Sequence, residues 1–289
     1  MRRLEGSLAG IAWMMAATLV FVTQDATSRV LLQSYPVAEV AWARFTIHTL
    51  LAAAVVLVRA PALLRASRPG WQVVRSFLLF GVSMLMMVAL QLMPFMDIAA
   101  IVAVTPVLVT ALSVPLLGET VGWRRWLGVL VGLAGAMMVA GPASTAFRWV
   151  VAVPLLIALT NALYQIVTRK LGPEDHPLTT SVYTALVGAV GTTLFLPLVW
   201  VTPDAAGWVL MLVLGLAGTL SHYCMIRAYT AATASVVAPF GYMTLVWAAG
   251  YSLLLFAEIP GTMTIAGSLV IAASGLYILY RERKVKGGG

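Results

Sequence analysis

Val114–Ala140 reads VPLLGETVGWRRWLGVLVGLAGAMMVA. Two apolar runs meet there across a short polar hinge. Gly118-Glu119 closes the first run, and Arg124-Arg125 opens the second, which carries Gly128, Gly132 and Gly135 at helical spacing. The stretch Leu254–Leu279, LLFAEIPGTMTIAGSLVIAASGLYIL, repeats the design. Glu258 stands 139 positions after Glu119, Gly267 139 after Gly128 and Ser274 139 after Gly135. A module shared by the middle and the end of a 289-residue chain marks an internal duplication.

Composition places the duplicated chain in a membrane. Hydrophobic residues make up 61% and charged residues 10%, and the mean hydropathy is +0.97; soluble domains sit near half apolar and a quarter charged. The net charge of +8 reflects basic loops rather than nucleic-acid binding. The single cysteine, Cys224, excludes an internal disulfide and a multi-cysteine metal site. Arg2-Arg3 and the apolar segment after them read as an uncleaved first span, not a signal peptide.

A span needs about 20 mainly apolar residues, and ten segments qualify. They are Leu8–Leu32, Val37–Val58, Val73–Leu92, Asp97–Leu117, Trp123–Ala140, Arg148–Val167, Thr179–Val201, Trp208–Tyr229, Ala234–Phe256 and Thr262–Tyr280. Backbone groups in lipid must be satisfied within the segment, so all ten are expected to be helices. With the N-terminus cytoplasmic, 15 of the 18 Lys and Arg fall on the inner side, all but Arg29, Arg44 and Arg148. The positive-inside rule then places both termini in the cytoplasm.

Residues 1–141 make the first five-helix repeat, 142–283 the second, and 284–289 a flexible tail. Thr27-Ser28-Arg29-Val30-Leu31 and Val167-Thr168-Arg169-Lys170-Leu171 match at an offset of 140. Five spans is an odd number, so the second repeat crosses in the opposite sense. The fold expected is an all-α membrane protein of ten transmembrane helices in two inverted-topology repeats. Such a pair sets a solute site near the midplane and allows alternating access by rocking.

The pattern Thr105-Pro106, Leu116-Leu117-Gly118-Glu119-Thr120, Leu127-Gly128, Gly132, Gly135 resembles the signature of the EamA domain of the drug/metabolite transporter (DMT) superfamily. A second copy follows in Tyr242-Met243-Thr244, Ala257-Glu258, Gly267 and Gly275, with Ala257 where the family has Gly and no proline at the place of Pro106. Arg44 fits the same pattern. The Met- and aromatic-rich third and eighth spans are similar to YddG-type aromatic amino-acid exporters. The resemblance implies a secondary transporter in the bacterial inner membrane that exports aromatic amino acids or similar amphipathic metabolites. Another solute (a nucleotide sugar, a purine, a polyamine or a drug) is the alternative. A membrane enzyme lacks its motifs here: no H-E-x-x-H, G-x-x-x-x-G-K-[ST] or G-x-S-x-G occurs. A channel lacks a pore-lining ring. No cofactor, metal or nucleic acid is expected, and the partners are a small molecule and the lipid bilayer, around a monomer or weak dimer.

Polar groups at membrane depth cost about 2.5–3.5 kcal/mol when charged, so each requires a reason. Asp25 and Arg29 stand at ion-pair spacing, as an outer gate or coupling carboxylate, or as a structural pair. Glu39, Arg44 and His48 cluster on the second span; Arg44 and His48 join the gating or coupling candidates. Asn161, Tyr164 and Gln165, with Thr160 beside them, form a polar patch on the sixth span, and Gln24 occupies the matching place on the first. Their amides suit a zwitterion, or glue the bundle. His222 and Tyr223, beside Ser221, sit mid-span, and Met86, Tyr242 and Trp247 supply apolar walls, with Trp13, Phe21 and Met87 of the same kind. These nine (Gln24, Met86, Asn161, Tyr164, Gln165, His222, Tyr223, Tyr242, Trp247) are the substrate-binding candidates. Glu119 and Arg124 read as a polar turn, and the glycines of spans five and ten as close helix contacts that join the halves or build a scaffold outside the transport core.

Overall fold

The protein is all helix among its described residues, which in this computed structural model are 2–59, 66–119, 121–140, 148–171, 175, 177–232 and 234–286. The first half holds α1 (Arg2–Leu31), α2 (Val37–Arg59), α3 (Pro69–Leu92), α4 (Phe95–Val102), α5 (Thr105–Leu117) and α6 (Trp123–Ala140). The second holds α7 (Arg148–Leu171), α8 (Pro177–Val199), α9 (Ala205–Ala231), α10 (Ala234–Val237), a 3₁₀ turn Ala238–Tyr242, α11 (Met243–Leu254) and α12 (Thr262–Lys286). Eight segments are long and apolar enough to cross a bilayer by themselves. The 18-residue α6 and the broken α10–α11 segment complete the ten spans. Leucines such as Leu130, Leu194, Leu198 and Leu269 point outward, an apolar exterior that only lipid makes favourable.

Two expected spans are discontinuous. Asp97–Leu117 breaks at Ala103-Val104, where α5 restarts with Pro106 in its first turn; proline lacks an N–H, and a helix start is where that donor is not needed. Ala234–Phe256 breaks at the 3₁₀ turn, which carries Pro239. These are the fourth spans of the two halves, so the break is a property of the repeat. The expected tail is shorter than 284–289: α12 continues through Lys286, and residues 287–289 lie outside the described residues, as does the boundary at 141–142.

The halves interlock instead of sitting side by side. α1 lies along α9, and its repeat mate α7 lies along α3; α2 pairs with α8, and α6 with α12. Every one of these pairs is antiparallel. Gly10 meets Ala232 at one end of α1–α9, and Gln24 meets Gly218 further along. Arg75 near the start of α3 reaches Thr168 near the end of α7. In α2–α8, Phe45 packs on Gly188 and His48 bonds Ser181. Chain sense then alternates through the bundle: α1 runs from a first face to a second face, and α7 runs back. The contact set maps onto itself when the halves are exchanged, which is the pseudo-two-fold of an inverted repeat.

The α6–α12 seam joins the halves as the glycine pattern leads one to expect. Ser274 Oγ donates to the Gly128 carbonyl at 2.6 Å, and a Cβ on Gly267 would stand 2.6 Å from the Gly135 carbonyl oxygen. The offset of 139 reappears in backbone geometry. Gly118 ends α5 at φ +68°, and Ala257, 139 positions on, follows α11 at φ +52°. Glu119 N–H bonds the Ser113 carbonyl, and Glu258 N–H the Ser252 carbonyl. Left-handed backbone is strained for alanine and free for glycine. Thermal melts in detergent should therefore show Ala257→Gly raising stability by about 0.5 kcal/mol, and Gly267→Val lowering it by about 1–3 kcal/mol through overpacking.

Candidate functional site

Each face of the bundle is tied by an ion pair that crosses between the halves. On the second face, Arg29 at the end of α1 forks onto Glu258 at 2.8 and 2.5 Å. The same carboxylate accepts the Phe95 backbone N–H at 3.0 Å, at the start of α4, and the Ser252 hydroxyl at 3.3 Å. The Arg29 guanidinium also lies 4.5 Å from the Phe256 ring centroid. On the first face, Arg169 at the end of α7 pairs with Glu119. Arg29 and Arg169 are repeat mates, as are Glu119 and Glu258. Each half thus lends the arginine of its first helix to the carboxylate after the other half's fourth span.

These pairs correct two local readings. Arg29 does not bond Asp25, because Glu258 offers two oxygens in line with the guanidinium fork, a stronger arrangement than a single contact along one helix. Glu119 turns to Arg169 and not to Arg124, which lies over the Trp123 ring.

The faces are not equally tight. Arg169 and Glu119 are 49% and 34% exposed, against 17% and 26% for Arg29 and Glu258; an exposed pair contributes about 0–1 kcal/mol. The first face has a second lock below its surface. Arg75, counted in sequence with the inner-side cations, is buried: Nε donates to Thr168 at 2.7 Å, Nη1 to Thr184 at 3.1 Å, and Nη2 to the Tyr164 hydroxyl. At the rim, Asp175 accepts Ser67 N–H at 2.7 Å and Gln72 at 2.8 Å. Those bonds, the Ser67 N–H first, hold its carboxyl below the usual range. An open groove of about 350 Å³ beside it, lined by Arg68, Pro69, Gly70, Trp71 and Val74, lies away from the polar centre.

Between the faces the structure gathers part of the expected set. Phe21, His222 and His48 form a row across three helices, with centroids 5.2 and 5.4 Å apart, the first contact edge-on and the second tilted. His222 Nδ1 lies 2.8 Å from the Gly218 carbonyl, and His48 Nε2 is 3.0 Å from the Ser181 hydroxyl. Asp25 and Arg44 are half-buried nearby. Gln24 is fully buried against α9, and both ends of its amide lack a partner. Trp247 Nε1 donates to Thr18 at 3.2 Å. Met86 is partly buried against the main core. Asn161 is half-buried and Tyr164 is held by Arg75, while Gln165, one position on, is exposed. Tyr223 also faces out, 48% exposed, edge-on to Trp13. Tyr242 keeps an unpaired buried hydroxyl against Gly275. Gln165 and Tyr223 thus stand apart from the central set, and Tyr242 packs with the α12 seam.

Sequence reasoning passed over Arg75 and Glu258 as a partner of Arg29, and it grouped Glu39 with Arg44 and His48 without finding its partner. Glu39 is fully buried at the second-face end of α2, where one oxygen accepts the Val201 N–H at 3.0 Å. The signal for Glu258 was present: its repeat mate Glu119 carries the family signature.

A model of the EamA-like transporter family matches residues 8–141 and again 147–281. The chain belongs to the EamA-like transporter family. Among its relatives, an S-adenosylmethionine uptake transporter of Rickettsia prowazekii is 27% identical over 281 residues, covering 97% of this chain and 96% of the relative. A riboflavin transporter of Vibrio cholerae is 28% identical over 284 residues, covering 96% and 95%. A pseudopaline exporter of Pseudomonas aeruginosa is 27% identical over 273 residues, covering 92% and 94%. A crystal structure with 19% identity superposes with a TM-score of 0.68 over 96% of this chain and 98% of that one, which shows the fold. The protein is a multi-pass membrane protein of a transporter family, and these named relatives carry solutes other than aromatic amino acids.

Glu258 lies outside the spans, and its titration has a definite sign. Burial pushes its carboxyl up, but bonds from Arg29, the Phe95 N–H and Ser252 outweigh this and leave it below the usual 4.5. A depressed carboxylate contributes stability above its unfolded value and loses it as pH falls through the folded one. Glu258→Gln should therefore cost about 1.5–3 kcal/mol at neutral pH. In melts of both proteins the gap should persist down to pH 4.5 and close only below it.

Proposed function

We propose that this EamA-family member is a secondary transporter of a small polar organic metabolite, working by alternating access between its two halves in the bacterial inner membrane. The observation that carries this reading is the interlocked antiparallel pairing of the halves with charged side chains held between them. Charge at that depth is unfavourable in a purely structural bundle and is expected where a solute path runs. The crossed ion pairs act as the ties of the two mouths, and transport needs one tie to part while the other holds. The discontinuous fourth spans give each half a backbone joint at which to bend.

The distribution of basic residues supports a first face, and with it both termini, on the cytoplasmic side. Arg68, Arg75, Arg124, Arg125, Arg169, Lys170 and Arg227 all lie toward that face. On the solute, S-adenosylmethionine, riboflavin and pseudopaline in the relatives favour a polar metabolite over the aromatic amino acids implied by the finer resemblance. The relatives' names include both uptake and export, so direction is not carried over from them. The central residues serve binding, the face residues gating, and the chain acts as a carrier without enzymatic chemistry.

Proteoliposomes offered labelled S-adenosylmethionine, riboflavin and tryptophan test this. The expected outcome is saturable counterflow of a polar metabolite, lost when Arg29→Gln and Arg169→Gln are combined. Flux that never saturates, or lipid turnover without flux, would contradict it.

A further inference from the structure

Arg29, Arg44, Arg75 and Arg169 are four of the arginines carried on the helices of the bundle. Three of them have acceptors within the protein. Arg29 forks onto Glu258, Arg169 pairs with Glu119, and all three nitrogens of Arg75 donate to hydroxyls. Arg44 is different. None of its five N–H donors has a protein acceptor among the described residues, and its guanidinium lies 5.8 Å from the Phe45 ring centroid. An arginine cannot shed its charge at ordinary pH, so unspent donors at this depth point to an acceptor from outside the chain.

Asp25 is likewise unspent. It makes no hydrogen bond among the described residues, and no Arg44 nitrogen comes within 4.0 Å of its oxygens. Yet the two are electrostatic partners, and the helices bring them to one level. Phe21 and Asp25 are four apart on α1, and Arg44 and His48 four apart on α2, so each pair shares a helix face. Phe21 and His48 both meet His222. α1 and α2 are antiparallel, so one turn from that aromatic tier toward the second face, about 5.4 Å, is the level of both Asp25 and Arg44. Two opposite charges with flexible side chains at one level would collapse into contact in a dry interior, where attraction is strong. Here they stay apart, and both are only half-buried. The buried, unpaired Gln24 amide adjoins the same level.

We propose that Asp25 and Arg44 are the two poles of a receptor for a zwitterionic solute: Arg44 takes the carboxylate, Asp25 takes the cationic group, and the solute's apolar portion lies on the Phe21–His222–His48 tier. This rests on the transporter reading and names the substrate class of its central site. A zwitterion closes the gap between the poles and satisfies both, which neither a neutral nor a singly charged guest does. The split pair is a means of specificity, since a guest lacking one charge leaves one pole buried and unmatched.

The test uses the full chain in proteoliposomes with S-adenosylmethionine, its decarboxylated form and riboflavin, which has no amino-acid head. Wild type is expected to bind and move S-adenosylmethionine about tenfold or more better than the decarboxylated form. Arg44→Gln should erase that preference, and Asp25→Asn should weaken both, each with melting temperature and insertion preserved. Movement of riboflavin alone would overturn the receptor while leaving the transporter reading intact. So would equal handling of the two adenosyl compounds by wild type, or a preference that survives Arg44→Gln. Loss of proton-driven uptake in Asp25→Asn at wild-type affinity would also overturn it, making Asp25 a coupling group. No movement of any of the three would remove both readings.

Discussion

A unit of five membrane helices leaves its polar face uncovered, and in this chain the same unit turned over covers it. That constraint sets most of what is seen. α1 needs α9, α7 needs α3, and the two seams on the axis, α2–α8 and α6–α12, join like to like. The arginine of each first helix finds its carboxylate in the other half. Neither half satisfies its own charged end, so the halves hold together and still retain a place to part.

The ends and the centre use charge in opposite ways. At the ends, fork and carboxylate meet directly, with the second-face pair reinforced by a backbone N–H of α4. Contact of that kind is strong when shielded and weak when wet, and the exposures of the two pairs order them accordingly. At the centre, Asp25 and Arg44 are held apart. A protein that needed only stability would have closed that gap or replaced both residues by apolar ones. Engaged and unengaged arginines differ in what meets them: Arg29 and Arg169 meet carboxylates, and Arg44 meets none among the described residues.

Much of the architecture was legible because it depends on quantities a sequence displays: apolar length, the parity of five, and a fixed offset. The 139-residue offset links Glu119 to Glu258 and, in the backbone, Gly118 to Ala257. Partner choice was less legible. Asp25 with Arg29 and Glu119 with Arg124 were natural readings because a sequence shows spacing along one helix and nothing across two. Hydropathy passed over the breaks in the fourth spans, since Ala103–Val104 and the turn at Pro239 are as apolar as the helices they interrupt. Tyr164 and Gln165 differ by one position, about 100° around a helix, and only packing against α3 decides that Tyr164 turns inward to Arg75. Arg75 itself falls inside the expected third span and was counted only as an inner-side cation, because its partners Thr168, Thr184 and Tyr164 all lie on other helices.

The central claim is that the two crossed ties open in alternation. Spin labels placed in pairs across each mouth, Gln33 with Ile259 on the second face and Lys170 with Trp123 on the first, give both distances in one protein by pulsed electron resonance. With a transported solute added, the account predicts that the population widened at one mouth is narrowed at the other. Both mouths widening together, or neither responding while solute is carried, would contradict it.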